Sequence, residues 1–469
     1  MLALLLLTAC TSDKPATPSA TPWAETARAA PPKHLILISV DTLRADHLDD
    51  PSLTPFATKL AAEGARFTQA TAPAPTTLAS HTSLMTGLYP HRHGVPRNGF
   101  LIPDDAPMLA ARLANEGFVT AAVIGGLPLS ARFGFDRGFQ HFDEDFDVTG
   151  GGCRGPFAVE QSQRGADRVT DAALGWLGAQ PDTPERLFLF VHYFDPHAPY
   201  RAPQPYRDLH QPASPRVWGS LEERLEVREA WPELADQSQA LEGAYAAEVA
   251  WTDSQIGRLL DGLDAAGVLD DALVVLTSDH GEAFAEHWEI WNHGLSLYQE
   301  AVHVPLIVWG AGRGGQVLEE AVSTVDVRSS AMALLQLDDA SGDGVSFAGG
   351  LTGGEVQPRW VFSEATKPST DAVEAGQPWP NAAKCRSARF DDWKYVECPW
   401  RESRELYDLH GDPGETRDRL ADGERIAAAR AEAYAAMLES WAKAGVAPSR
   451  FGADAETVEG LKALGYFED

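Results

Sequence analysis

Residues 34–40 read HLILISV, and Asp41 follows at once. Two further runs share this form: LFLFVHYF at 187–194, followed by Asp195, and ALVVLTS at 272–278, followed by Asp279 and His280. Stretches this apolar are typical of strands that are buried on both faces of a parallel sheet. Each of the three predicted strands therefore ends in an acidic residue.

Helical patterns lie between these strands: PFATKLAAEG (55–64), APMLAARLANEG (106–117), RVTDAALGWLG (168–178) and the long run at 245–267. Several of them end at glycine, as helices often do. Strands and helices in alternation predict an α/β fold with a doubly wound, mostly parallel sheet. Ligands of such sheets bind outside the carboxyl ends of the strands, where the acids lie.

The acids at the strand ends are candidate metal ligands. A single aspartate there is about as well explained by capping of the next helix or turn. Three such acids, one of them in SDHGE at 278–282, favour a site. Carboxylate oxygen and imidazole nitrogen commonly share one cation. We therefore expect Asp41, Asp279 and His280 to converge on a divalent metal ion.

The stretch APAPTTLASHTSLMTG (72–87) predicts an extended lead-in and a helix that begins at Thr76 or Thr77 and ends at Gly87. At the helix N-terminus, free N–H groups and the helix dipole stabilise an anion. His81, four residues after Thr77, falls on the same helix face. Taken alone, a threonine at this position is more often an N-cap than a nucleophile, so its neighbours decide its role.

The composition is that of a globular protein of 469 residues, with 44% hydrophobic residues and a formal net charge of −30. This length suits one large α/β domain with a smaller second one. The negative charge disfavours nucleic acid as a partner, because its phosphates would be repelled.

The first ten residues, MLALLLLTAC, resemble a bacterial lipobox with Cys10 as the lipidated residue. The run is shorter than the ~20 residues that span a bilayer, and no basic residue precedes it. A trimmed or misread N-terminus is the alternative. Residues 11–33, rich in Pro, Thr, Ser and Ala, predict a flexible tether. We expect a cell-envelope lipoprotein that touches the membrane only through Cys10.

Three cysteines remain beyond Cys10. Cys385 and Cys398 flank ARFDDWKYVE, which predicts two short strands around a turn, and export would permit a disulfide between them. Cys153 would then be left over as a small loop residue.

Several motifs together resemble the sulfatase branch of the alkaline phosphatase superfamily. In chain order they are ILISVDTLRADHL (36–48), TLASHTSLMTGLYPHRHGV (77–95), DPHAPY (195–200), LTSDHGEAFAEHWEIWNHG (276–294), HVPLIVWG (303–310) and ELYDLHGDPGETRDRL (405–420). They are similar to that family's first metal motif, nucleophile motif, His-x-Pro-Tyr loop, second metal motif, Val-Pro-Leu-Ile segment and closing signature. The resemblance covers roughly residues 34–420.

This resemblance implies a catalytic α/β domain at 34–340 and a smaller C-terminal α+β subdomain at 341–469. It implies a metal-dependent hydrolase of sulfate or phosphate esters, with a small anionic ester as substrate. The metal ligands that it implies are Asp41, Thr77, Asp279 and His280.

The nucleophile motif departs from the family pattern. Sulfatases begin this motif with Cys or Ser, which is oxidised to formylglycine, whereas the position here holds Thr77; their proline is Ala79 and their arginine is His81. Threonine cannot become that aldehyde, so no formylglycine is expected. It can attack directly if a metal lowers the pKa of its hydroxyl, which favours phosphate esters.

The positions that correspond to the metal-binding and anion-binding residues of sulfatases also differ from the family pattern. Thr42 replaces the second of two consecutive acids, and His280 replaces an asparagine, which favours Zn²⁺ or Mn²⁺ over Ca²⁺. The segment at 117–139 resembles the sulfatase region with a Lys-Trp-His set but contains no lysine or histidine. We therefore expect His197, His293 and Asn98 to hold the anion.

The candidate roles can be stated together: catalytic residues Thr77, His81, His197 and His293, with Asn98 binding substrate. Asp195 either completes a second metal site or orders its loop. Arg44 and Asp46 orient the first motif, and His91 and His93 shape the turn after the helix.

Three alternatives to a phosphoesterase stay open. The protein could be a true sulfatase in which unmodified Thr77 attacks sulfur. It could be a phosphotransferase acting on a membrane or cell-wall acceptor. It could also be a lipoprotein that binds anions without turnover.

Overall fold

The structure is a computed structural model of the chain. It describes residues 15, 17–19, 21, 23, 31–146, 163–210, 238–287, 290–312, 314–339, 341–366, 380–423, 425–443 and 445–447. Cys10 and Cys153, and most of the segment before residue 31, lie outside the described residues.

The strands of the described residues are β1 His34–Val40, β2 Ala65–Phe67, β3 Ala70–Thr71, β4 Val119–Ile124, β5 His141–Asp143, β6 Leu187–Tyr193, β7 Ala272–Ser278, β8 Ala283–Phe284, β9 Ile290–Asn292, β10 Leu306–Trp309, β11 Gln316–Leu318, β12 Val322–Ser323, β13 Val361–Thr366, β14 Lys384–Phe390, β15 Trp393–Cys398 and β16 Ser403–Asp408. The α-helices are α1 Pro55–Glu63, α2 Thr77–Thr86, α3 Pro90–His93, α4 Leu109–Asn115, α5 Ala166–Gly178, α6 Tyr206–His210, α7 Ser238–Ala265, α8 Gln299–Val302, α9 Asp326–Leu334, α10 Ala348–Leu351 and α11 Arg425–Ala442.

An eight-stranded sheet forms the centre of the molecule, in the order β11-β2-β10-β7-β1-β6-β4-β5. The pairings are parallel except those of β10 with β2 and with β7, which are antiparallel. Alternate residues of β1 enter two separate cores. Helices α1, α5 and α7 pack on one face, and α2, α4 and α9 pack on the other. The predicted doubly wound, mostly parallel α/β fold is confirmed.

The predicted elements are present with small shifts at their ends. The strands predicted at 34–40 and 272–278 match β1 and β7, and the strand at 187–194 ends one residue early as β6. The helix predicted at 106–117 is shorter, as α4, because Met108 has the extended backbone of an N-cap. The long helix α7 begins seven residues before the predicted start at 245.

A second, antiparallel sheet of β13, β14, β15 and β16 forms the C-terminal subdomain with α11. Its small core contains Phe362, Ala388, Tyr395 and Leu406 of the sheet and Leu438 of α11. Cys385 and Cys398, on the neighbouring strands β14 and β15, form a disulfide bond. The smaller subdomain and this cysteine pairing agree with the sequence prediction.

The segment predicted as a flexible tether is not free along its whole length. Trp23 is 5% exposed, and its indole N–H donates to Asp261 at 2.7 Å. The Lys59 ammonium lies 3.9 Å from the centre of the Trp23 ring. No helix among the described residues combines the length and the hydropathy that a membrane span requires.

We predict that the Cys385→Ala/Cys398→Ala double variant is less stable by about 2–3 kcal/mol, because the bond closes a short loop and restricts the unfolded chain. Urea unfolding of the oxidised wild type and the variant measures the difference. The reduced wild type serves as the control and should match the variant. Equal midpoints for all three would contradict the prediction.

Candidate active site

The two predicted acids meet because β1 and β7 are parallel neighbours. Val40 pairs with Ser278, so Asp41 and Asp279 leave the same sheet edge side by side. Potential ligand atoms of Asp41, Asp279 and His280 all lie within 4.8 Å of one another. Within the described part of the chain this is the one cluster of acidic, histidine or cysteine side chains with that geometry. A second metal site at Asp195 therefore receives no support.

The donor atoms of this cluster suit a cation. One carboxylate oxygen of Asp279, Oδ1, accepts from the backbone N–H groups of His280 at 2.9 Å and Thr42 at 3.2 Å. The other, Oδ2, has no hydrogen-bond partner in the part of the chain that the structure describes and lies 3.3 Å from His280 Nε2. His280 donates its Nδ1–H to the Gly281 carbonyl at 2.9 Å, so the Nε2 of a neutral ring carries a lone pair. Buried polar atoms without partners are costly, and a metal ion would satisfy them.

The charges of the cluster are strongly coupled. Burial and the neighbouring Asp279 carboxylate raise the pKa of Asp41 well above its usual range. Burial also acts to raise the pKa of Asp279, but His280, His81 and His192 outweigh it, and that pKa is lowered. Burial would lower the pKa of His280, but Asp279 and Asp41 raise it. The two carboxylates of the cluster therefore favour positive charge on the groups next to them.

Thr77 is the first residue of α2 and is fully buried. Neither carboxylate oxygen of Asp41 has a hydrogen-bond partner of ordinary geometry among the described residues, and the nearby Thr77 hydroxyl offsets a small part of the rise that burial causes in the Asp41 pKa. The Ser80 hydroxyl donates to the Asp279 carbonyl oxygen at 2.7 Å, which fastens α2 to the end of β7. The structure therefore brings Thr77 beside the acids, as the sequence predicted.

His81 lies beneath Thr77 with both ring nitrogens engaged. Its Nδ1 lies 2.8 Å from the Thr77 carbonyl oxygen, which can only accept, so Nδ1 carries the hydrogen. Burial lowers the pKa of His81 to about 3, and the neutral ring accepts at Nε2 from the Ser39 hydroxyl at 2.9 Å. The predicted catalytic role of His81 is therefore better described as positioning of the first turn of α2.

Asn98 lies at the N-terminus of α2. Its Oδ1 accepts from the Leu78 N–H at 2.7 Å, which satisfies one of the free donors of the helix. The Asn98 Nδ2 group is buried and has no hydrogen-bond partner within the described residues. A donor in this position suits the predicted contact with an anionic substrate.

His197 and His293 lie together with His280 in a row of rings. The His293 ring centre is 4.3 Å from that of His280 and 5.2 Å from that of His197. His197 donates its Nδ1–H to the Ala198 carbonyl at 2.7 Å, and His293 Nδ1 lies 3.2 Å from Glu282 Oε1. A side chain at Gly294 would touch Thr76, so the loop that carries His293 packs against the start of α2.

His192 is a site residue that the sequence analysis missed. It lies on β6, is fully buried, and its Nε2 is 3.4 Å from Asp41 Oδ2. Its ring centre is 4.9 Å from that of His81, and burial lowers the pKa of His192 to about 4. One sequence signal could have identified His192 as a site residue. It is a lone histidine inside an apolar strand, three residues before Asp195 at the strand end. Glu282, the partner of His293, was quoted in SDHGE but given no role.

Thr42 turns away from the acids. Its backbone has φ +57°, an uncommon conformation for a β-branched residue. The Thr42 hydroxyl donates to the Asp41 carbonyl oxygen at 2.7 Å, and its own carbonyl accepts from the Tyr245 hydroxyl at 2.7 Å. Thr42 therefore holds the backbone after β1 and offers no ligand to the site.

Orienting roles were predicted for Arg44, Asp46 and, as one alternative, Asp195, and each of these residues contacts a neighbouring segment of the chain. Arg44 binds the carboxylates of Asp46 at 2.7 Å and of Glu286, and its guanidinium donates to the Glu282 carbonyl at 3.1 Å. This links the first motif to the second. Asp195 Oδ2 accepts from the Ala166 N–H at 2.8 Å, which ties its loop to the N-terminus of α5.

The turn after α2 depends on His93. Its Nδ1 accepts from the Val95 N–H at 3.1 Å, and its Nε2 lies 2.9 Å from the Ser83 hydroxyl oxygen. His91 instead faces the C-terminal subdomain, with its Nδ1 4.0 Å from Glu364 Oε2.

Comparison with known proteins yields a consistent set of similarities. The family model described as Sulfatase matches residues 33–337. An uncharacterised sulfatase of Escherichia coli is 24% identical over 415 residues, covering 81% of this chain and 80% of that protein. A choline-sulfatase of Rhizobium meliloti is 25% identical, covering 84% of this chain and 83% of that protein.

A solved structure with a similar fold is the phosphonate monoester hydrolase of Agrobacterium radiobacter. Its TM-score is 0.67 at 23% sequence identity, and the match covers 88% of this chain and 95% of that one. At this identity the likeness concerns the fold alone.

We predict that Glu282→Gln lowers kcat by about 10–100-fold, because the carboxylate orients the His293 ring, and a poorly oriented ring loses part of the roughly 10²–10⁴-fold that general acid–base catalysis contributes. Steady-state kinetics on an aryl phosphate measure this. Glu286→Gln is the matched control, because Glu286 pairs with Arg44 and should leave kcat within about twofold. Equal kinetics of Glu282→Gln and wild type would contradict the role given to Glu282.

Proposed function

The chain belongs to the sulfatase family of ester hydrolases, and from this we propose that it cleaves phosphate esters with Thr77 as the direct nucleophile. The observation that carries the proposal is the position of Thr77, buried at a helix N-terminus and next to Asp41 of the buried cluster that also contains Asp279 and His280. The names of the relatives span sulfate and phosphonate esters. The threonine favours phosphoryl chemistry, because it cannot form the aldehyde that sulfatases use.

The residues that would hold a divalent metal ion are Asp41, Asp279 and His280, together with Thr77. When bound there, such an ion lowers the pKa of a hydroxyl nucleophile and polarises the ester. Because the donor set includes an imidazole, we propose Zn²⁺ or Mn²⁺ rather than Ca²⁺. Both Asp41 oxygens and Asp279 Oδ2 have no hydrogen-bond partner among the described residues, which supports a bound cation at this place.

The remaining site residues bind the anionic substrate and transfer protons. The Thr77 oxygen attacks phosphorus in line with the ester bond; the new O–P bond forms as the bond to the alcohol oxygen breaks, and the Thr77 hydroxyl proton passes to solvent water. His197 or His293 protonates the departing alcohol oxygen or stabilises the equatorial oxygens, and the Asn98 amide donates to the anion. Water then hydrolyses the covalent adduct and regenerates Thr77. His81 holds the Thr77 carbonyl throughout.

We also propose that the protein is a lipoprotein of the cell envelope, anchored through Cys10. The lipobox-like sequence ending at Cys10 and the Pro- and Thr-rich segment that follows it support this localisation. Mass spectrometry of the membrane fraction would detect the lipid on Cys10.

We predict that Thr77→Ala reduces turnover on the order of 10⁴-fold or more, because removal of a covalent nucleophile abolishes its pathway. Acid quenching of the wild type during turnover should trap the transferred group on Thr77, which peptide mass spectrometry locates. Thr76→Ala is the matched control, since no side-chain cap from Thr76 stabilises α2, and it should stay active. Full activity of Thr77→Ala, or an adduct on another residue, would refute the nucleophile.

We predict that the purified protein contains a transition metal and that Asp279→Asn loses it. The affinity should fall by more than the roughly 10–100-fold that loss of an outer partner causes, because a ligand atom itself is removed. Elemental analysis and metal titration measure this without turnover. Asp46→Asn is the control and should keep the metal, since Asp46 binds Arg44 instead. Equal metal content in all three proteins would contradict the ligand set.

A comparison of substrates tests which class of ester the protein prefers. Aryl phosphate monoesters, aryl phosphate diesters and aryl sulfates are compared on the metal-loaded protein. A higher kcat/KM for phosphates supports the proposal, and a higher value for sulfates supports a true sulfatase with an unmodified threonine.

A further inference from the structure

One short segment of the catalytic domain binds three of the stretches that form the site. We call residues 299–303, which comprise α8 and the residue after it, the linking segment. Its last three backbone carbonyls accept hydrogen bonds from three other segments: Ala301 from Gly281 at 2.9 Å, Val302 from Ala72 at 2.8 Å and His303 from Ala45 at 3.1 Å. These donors belong to the second metal motif, to the lead-in to α2 and to the first metal motif. The linking segment therefore fixes the three stretches relative to one another.

The C-terminal subdomain binds the same linking segment through two buried side chains. The Gln299 N–H donates to Glu415 Oε2 at 2.5 Å, and Lys394 Nζ of β15 lies 2.8 Å from Glu415 Oε1 and 3.3 Å from Gln299 Oε1. Glu415 has φ +52°, which is uncommon for a residue other than glycine. Such a backbone conformation persists where the surrounding contacts hold it, and here those contacts lead to the linking segment.

His287, in the second metal motif, bonds to both the linking segment and Glu415. Its Nε2 is 3.1 Å from the Glu415 carbonyl oxygen, which can only accept, so Nε2 carries a hydrogen. Its Nδ1 is 2.8 Å from Glu300 Oε1, and an ionised carboxylate also only accepts. Because both nitrogens donate, the ring is an imidazolium cation. The Tyr298 ring lies parallel to it at 3.7 Å, and an aromatic face stabilises a cation.

Four groups at this place carry two negative and two positive charges. Glu300 and Glu415 are 7% and 1% exposed, and they are matched by the buried Lys394 and by His287. Burial acts to lower the pKa of His287, but Glu300 and Glu415 raise it above its usual value of 6.5. Further charged groups nearby come from the closing signature, from β14 and β16 and from the second metal motif: Asp412, Arg389, Glu405 and Glu286.

We propose that His287, as a cation, is a positioning residue for the reaction at Thr77. It holds Glu300 of the linking segment to the closing signature, and the linking segment in turn fixes the stretches next to Asp41, Thr77 and His280. The proposal rests on the proposed hydrolysis at Thr77 and adds a pH-sensitive link to it.

The link through His287 should weaken as the pH rises. Because the His287 pKa is raised in the folded protein, the charge contributes stability that is complete below about pH 6.5 and is lost as the pH rises through the raised value. A neutral ring has only one N–H group, so either the Glu300 carboxylate or the Glu415 carbonyl loses its donor. A buried acceptor without a donor is costly, and the linking segment is then held less firmly.

The ratio of the wild-type kcat to that of His287→Gln tests this role. The ester that the wild type cleaves best is used between about pH 6 and about pH 9. The ratio should be about 10 at the acid end, since a charged hydrogen bond is lost, and should approach 1 at the alkaline end, where both side chains are neutral. KM should change by less than about twofold, because His287 does not touch the substrate. A ratio that is constant over this range overturns the proposal.

His303→Gln is the matched control, because His303 is a buried histidine of the same linking segment that stays neutral. Burial lowers the pKa of His303 to about 4, and its Nε2 lies 2.8 Å from the Thr68 carbonyl oxygen. Any loss of kcat in this variant should therefore be independent of pH over the same range. The same pH-dependent ratio in both variants would show a general weakening of the fold and overturn the assignment to His287.

NMR of the protein labelled with ¹³C at histidine Cε1 measures the charge of His287 without turnover. One signal should titrate above about pH 6.5, be absent from His287→Gln and titrate at lower pH in Glu300→Gln, which lacks a carboxylate that raises the pKa. Thr77→Ala should leave this titration unchanged. If His287→Gln does not fold, as judged by thermal unfolding, Glu300→Gln carries the test, and the absence of any shifted histidine signal in it overturns the proposal.

These outcomes separate the role of His287 from the proposed function. An active wild type whose kcat ratio to His287→Gln does not depend on pH refutes only the positioning role. Absence of turnover by the wild type on every ester refutes the proposed function and the positioning role with it. Activity retained by Thr77→Ala refutes the nucleophile, whereas a pH-dependent ratio still supports the link through His287.

Discussion

Two carboxylates, Asp41 and Asp279, are buried side by side at the ends of adjacent parallel strands, and the architecture of the site follows from their charge. The two acids must lie side by side, because Val40 pairs with Ser278 in parallel register and each of these residues is followed directly by one of the acids. Two anions this close would repel each other in a low dielectric. Three histidines, His81, His192 and His280, lie near them, and three of the four carboxylate oxygens accept no hydrogen bond from any residue that the structure describes. The site is thus organised to hold positive charge.

Thr77, the proposed nucleophile, is positioned by the same strand ends. The Ser80 hydroxyl binds the Asp279 carbonyl, and His81 connects the Thr77 carbonyl to Ser39 of β1. The first turn of α2 is therefore fastened to both β7 and β1. The helix N-terminus, which favours an anion, points into the cluster at a fixed place. Helix and sheet position one another through side chains that do not take part in the chemistry.

The sequence could predict the parts of the fold that follow from local pattern. The apolar runs at 34–40 and 272–278 became strands because burial on both faces requires such runs, and the acids that end them met at the sheet edge as expected. His192 was missed because its partners come from other strands and a lone histidine carries no periodic signal. The docking of Trp23 on Asp261 joins residues 238 positions apart, so no local pattern could indicate it.

The choice of threonine has a structural consequence of its own. A β-branched threonine is stiff at χ1 and has two favoured rotamers in a helix, so its hydroxyl has fewer available directions than a serine hydroxyl would. A formylglycine hydrate can expel its bound group by collapsing to an aldehyde, whereas a threonine ester must wait for water. Such a site needs a general base that activates water after the alcohol has left. In the proposed mechanism this group is His293, whose Nδ1 lies 3.2 Å from Glu282 Oε1 and whose ring lies 4.3 Å from that of His280 and 5.2 Å from that of His197. It would give a proton to the alcohol in the first step and take one from water in the second.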